Sequence, residues 1–76
     1  MMKLVADEIV DLLAPVIGRG MATSAITMQC RKMGILPENL REDQIGDFAD
    51  RFQKPMQIFA GEKPAQRIIS QIRHIR

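Results

Sequence analysis

Tryptophan and tyrosine are absent from this sequence, and phenylalanine occurs three times. Phe48, Phe52 and Phe59 share one helical stripe and read as core. No aromatic platform remains for stacking unpaired bases, which counts against single-strand nucleic-acid binding. Cysteine and histidine occur once each, as Cys30 and His74. An intrachain disulfide cannot form, and neither a Cys₄ nor a Cys₂His₂ zinc site can be assembled. Nor is there a Ser/His/Asp or Cys/His catalytic set, since His74 falls in the last turn of the final helical stretch and reads as a solvated residue. Cys30 lies beside Arg31 and Lys32, which would activate an exposed thiol, but its place on an apolar face reads as a small buried hydrophobe. Enzymatic function, metal and cofactor are therefore not expected.

Long apolar runs are missing too. No stretch approaches the roughly 18 uncharged residues that a membrane span requires. Asp7, Glu8 and Asp11 interrupt the opening run MMKLVADEIVDLLAPVIG, and no small-residue cleavage site follows, so it does not read as a signal peptide. A lone thiol suits a reducing compartment, and a cytoplasmic protein is expected. Period-two alternation is absent, which excludes a strand-based fold.

What is present is helical periodicity. Val5, Ile9, Leu12, Leu13 and Val16 predict a first helix from about Lys3 towards Ile17, which Pro15 either ends near residues 11–14 or kinks. Met21, Ala22, Ala25, Ile26, Met28, Cys30 and Met33 form the apolar face of a second, over 21–33, with Gly34 placed to terminate it. In ILPENL, Pro37 suits the start of a short helical turn, which Leu36 and Leu40 are expected to pin to the core. Ile45, Phe48, Ala49, Phe52, Met56 and Phe59 keep helical phase through Pro55, predicting one kinked helix that Gly61 ends. Ala65, Ile68, Ile69, Ile72 and Ile75 mark a last helix opening near Lys63. The expected fold is all-α, a bundle of four main helices forming a single domain over 1–76.

The two halves resemble each other. PVIGRGMATSAI and IFAGEKPAQRII align Gly18, Ala22 and Ile26 with Gly61, Ala65 and Ile69. Two pseudo-symmetric helical hairpins joined by a short helical connector over 35–44 would account for this. A 76-residue chain buries only about 60% of its unfolded surface. Without disulfide or zinc, its stability must come from close helix packing or self-association, and a homodimer is expected.

The formal net charge is only +2, yet the signs alternate along the chain. Residues 1–17 and 35–50 are acidic, whereas 18–34 and 51–76 are basic. Complementarity between helices explains such blocks more simply than an anion-binding face. The cluster Glu42, Asp43, Asp47 and Asp50 lacks the oxygen-ligand pattern of a calcium loop and reads as a solvated helix face. Met21, Met28, Met33 and Met56 read as core gap-fillers, although methionine-rich faces also serve adaptable partner grooves.

Gly18, Arg19 and Gly20 pose the one sharp question. Glycines before a helix start let a phosphate approach unpaired backbone N–H groups, and Arg19 would add a bidentate donor. A plain turn between packed helices is the simpler reading, since the sequence is neither a P-loop nor a dinucleotide fingerprint. IGRGMATSAI followed by GILP resembles, in part, the apolar-Gly-x-Gly turn of helix-hairpin-helix and helix-two-turn-helix domains. That resemblance implies paired hairpins and contact with a nucleic-acid backbone. It departs from the pattern at Arg19, at Met21 and Ala22, and at the second turn, where a single Gly61 stands beside Glu62, so membership is not assigned.

Two functions follow. The first is a non-enzymatic protein–protein interaction or accessory module that binds another protein or a second copy of itself. The alternative is a nucleic-acid backbone binder. It would use Gly18, Arg19, Gly20, Arg31 and Lys32 from one hairpin and Lys63, Arg67, Arg73 and Arg76 from the other. No membrane and no small-molecule substrate is indicated.

Overall fold

Gly18 and Gly61 each end one helix and begin the next, with φ of 87° at both. In the computed structural model, which describes residues 3–75, the amide of Gly18 donates to the Ala14 carbonyl at 2.9 Å, while its own carbonyl accepts from Ala22 at 2.9 Å. Gly61 repeats this with Gln57 and Ala65. A single residue thus turns the chain between helices, in a conformation that any side chain would strain.

Four helices follow: α1 (Val5–Ile17), α2 (Arg19–Lys32), α3 (Ile45–Ala60) and α4 (Glu62–Arg73). Two 3₁₀ turns, Pro37–Asn39 and Glu42–Gln44, lie in the connector, and the described residues contain no strand. The fold is all-α. α1 does not stop before Pro15 but continues to Ile17. α2 begins at Arg19 rather than Met21, so Arg19 and Gly20 are its first turn and Gly18 alone is the link. α3 runs through Pro55 as one helix.

α2 ends in a Schellman motif. Gly34, at φ 78°, donates to Arg31, and Ile35 donates to Cys30, each at 3.0 Å. At the start of α3, Gln44 Oε1 accepts the Arg41 amide at 2.9 Å, which closes the connector onto the helix.

α1 packs most extensively on α2, and α3 on α4, while α1–α4 and α2–α3 junctions close the bundle. Aligning Gly18 with Gly61 makes the buried positions coincide. Ala6, Ile9 and Leu13 of α1 answer Ala49, Phe52 and Met56 of α3, and all six are buried. Ala22 and Ile26 of α2 likewise answer Ala65 and Ile69 of α4. The larger buried residues fill the core, where the Phe48 and Phe52 rings lie 5.1 Å apart.

Three core expectations are corrected. Leu36 is 56% exposed, and the connector is pinned instead by buried Leu40 and by Ile35, half-buried against the core. Met21, Met28 and Phe59 lie at the surface, leaving Met56 as the fully buried methionine among the described residues. Met33 is half-buried against the core, and Met1 and Met2 lie outside the described residues. The reason lies in α2, whose apolar residues spread around more of the helix than one face can bury. Its inward face takes Ala22, Ile26, Gln29 and Cys30. Thr23 and Thr27 return their hydroxyls to the carbonyls of Arg19 and Thr23 on the outside.

Candidate functional site

The basic residues singled out in the sequence do not converge on the glycine turns. Arg19 and Arg31 stand at opposite ends of α2, about 18 Å apart along its axis. Lys63 and Arg73 similarly bracket α4. Arg19 is held by Asp11, with Nη2 to Oδ1 at 2.9 Å, and Lys3 reaches the same carboxylate. Arg73 pairs with Asp50 across the α3–α4 hairpin, and Arg51 pairs with Asp47 at 3.1 Å within α3. The charge blocks therefore meet within one chain at these three arginines. Among the described residues Arg31, Lys32, Lys63 and Arg67 are exposed and make no ion pair. Arg76 lies outside the described residues. Gly18 and Gly20 leave open space beside their α-carbons, but Gly20 belongs to the helix rather than to a loop.

Cys30 is fully buried, and burial pushes its thiol above its ordinary value. The neighbouring Arg31 and Lys32 point to solvent and do not activate it. His74 Nδ1–H donates to the Ser70 carbonyl at 2.7 Å and remains exposed. Among the described residues no three His, Cys, Asp or Glu side chains gather closely enough to hold a metal ion, and no helix is long and apolar enough to cross a membrane.

The surface feature that the sequence missed is a groove between α2 and α3. It encloses about 180 Å³, with Met21, Ala25 and Met28 on one wall and Phe52, Pro55 and Phe59 on the other. That volume is below the roughly 300–1,000 Å³ of sites for drug-sized ligands and suits inserted side chains instead. Met28 is 60% exposed and Phe59 45%, while Ile58, on the adjoining surface, is 84% exposed. Towards the end of α2 the groove runs into a cationic shelf made by Lys32, Arg51 and Lys54.

Pro55 helps to form this wall. Its ring replaces a backbone N–H within α3, and it lines both the groove and the shelf. The signal available in the sequence was the surplus of apolar residues on α2, whose period is too broad for a single buried face. Nothing in that pattern said which residues would be left outside.

No protein-family model matches the sequence, and neither a curated protein nor a solved structure is significantly similar to it. The functional reading rests on the geometry of the chain itself.

Proposed function

We propose that the chain is a small non-enzymatic protein–protein interaction or accessory module that works through the α2–α3 groove. One observation carries this reading: Met21, Met28 and Phe59 surround a shaped apolar recess instead of being scattered singly over the surface. A 76-residue domain has little apolar surface to spare, and a contiguous exposed patch marks a contact site. Methionine walls adapt to differently shaped side chains. Association of two copies through the same groove would be the homodimeric form of this function.

Light scattering over a dilution series, run beside pull-downs on the tagged chain and its Met28→Glu variant, tests the reading. The expected result is an added mass, from a second copy or another protein, that the variant releases. A chain that stays monomeric throughout and retains nothing sensitive to Met28→Glu overturns it.

A second reading, binding to a nucleic-acid backbone, is favoured by Lys63 and Arg67, exposed near the start of α4 without an acidic partner among the described residues. It predicts affinity for duplex that falls linearly with salt on a log–log plot and weakens when Lys63 and Arg67 are replaced by alanine. The ion pairs of Arg19 and Arg73, and the dispersal of the basic residues, weigh against it.

A further inference from the structure

The two halves of the repeat differ where the groove lies. Aligning Gly18 with Gly61 equates the α2–α3 junction with the α4–α1 junction, and both pairs of helices touch. In the second half, α4 buries Ile68 and Ile72, and Ile75, just beyond its end, packs half-buried against the core. The equivalent positions on α2 are Ala25, Gln29 and Lys32. Ala25 is smaller than isoleucine, Gln29 and Lys32 are polar, and all three line the recess. The recess therefore lacks the isoleucines that the other half of the repeat carries at these positions.

Lys32 and Lys54 stand at one end of that recess, exposed and without an ion pair among the described residues. We propose that the α2–α3 groove receives an amphipathic helix of another protein. That helix is aliphatic at i, i+4 and i+7, the spacing of Ile68, Ile72 and Ile75, and bears Glu or Asp beside that stripe. The wall from Met21 to Lys32 runs about three helical turns, or about 16 Å, which matches a helix laid lengthwise.

A second copy of the chain fits less well. A twofold axis along the groove would bring two cationic shelves together, and one across it would set each shelf against the apolar Met21–Phe59 end of the other copy. On α3, Asp47 is paired with Arg51 and Asp50 with Arg73. The proposal rests on the interaction-module reading and adds the chemistry of the partner.

Two synthetic helices of about fifteen residues separate the possibilities. Both carry leucine at i, i+4 and i+7; one has glutamate flanks and the other lysine flanks. Fluorescence anisotropy at low salt is expected to show the glutamate peptide binding at least about tenfold more tightly than its twin. Lys32→Glu with Lys54→Glu, both fully at the surface, should reverse that preference. Ala25→Ile should fill the recess, weaken binding by about tenfold or more and raise the melting temperature, which distinguishes occlusion from unfolding.

Equal binding of both peptides overturns the acidic partner while leaving the interaction module standing. If neither peptide binds but light scattering shows a dimer that Ala25→Ile disperses, the occupant is a second copy and the proposal fails. With neither peptide bound and no association, both readings fall.

Discussion

Gly18 and Gly20 are two residues apart and should respond to alanine with opposite signs. At Gly18 an added Cβ meets nothing within 4 Å, so the whole cost is conformational. Its φ of 87° and ψ of 151° lie in a region that only glycine occupies without strain, and the penalty is about 1–3 kcal/mol. Gly20 is within the first turn of α2, also with open space around it. Alanine there restricts the unfolded chain without straining the folded one, and stabilises by about 0.5–1 kcal/mol. A domain of this length unfolds with an entropy of about 160 cal/mol/K, so 1 kcal/mol moves the melting temperature by about 6 °C. Gly18→Ala should therefore melt about 6–18 °C lower than the parent, and Gly20→Ala about 3–6 °C higher, by far-UV circular dichroism. A Gly18→Ala variant that melts with the parent, or shifts of the same sign at both positions, would refute the single-residue turn. Gly61→Ala is the internal control, since it shares the φ of 87° and should match Gly18→Ala in sign.

Other consequences can be measured with the same protein. Phe52→Ala removes a ring at the centre of the core and should cost about 3–5 kcal/mol, enough to leave a domain of this size largely unfolded in a urea titration. Asp11→Ala removes the shared partner of Lys3 and Arg19, but the carboxylate is 35% exposed; the loss should stay below about 1 kcal/mol and shrink further in molar salt. Burial raises the Cys30 thiol, so its contribution is fully present below the ordinary value near 9.0 and is lost as pH rises through the folded value. The parent should lose stability faster than Cys30→Ala between pH 9 and pH 11, and parallel curves would contradict this. Alkylation of native Cys30 should proceed only as fast as the chain opens.

Much of the helix plan was legible because it depends on local chemistry. The stripe from Ile45 to Met56 has a clean period, and Ile45, Phe48, Ala49, Phe52 and Met56 are all buried. Gly34 and Gly61 stop helices because left-handed or extended positive-φ backbone is cheap for glycine alone. The starts were less legible. Gly-Arg-Gly looked like a three-residue turn, but a helix can begin immediately after one positive-φ residue, and Arg19 then gains a carboxylate partner on the preceding helix.

The amino-acid order by itself determined that the chain is helical, where its helices break and that its halves repeat, since each of these follows from spacing within one turn of backbone. Only the tertiary structure decided which apolar residues stay outside. Met28 and Phe59 sit on apolar periods as regular as those of Ile26 and Phe52, yet they end at 60% and 45% exposure. Burial depends on what faces a residue from another helix, and α2 faces α3 with Ala25 and Gln29 where α4 carries Ile68 and Ile72. Arg19 and Arg73 were likewise free cations in the sequence, and folding brought Asp11 and Asp50 to them. Lys32 and Lys54, more than twenty positions apart in the chain, became neighbours on the groove's shelf for the same reason: packing sets distances that sequence separation does not.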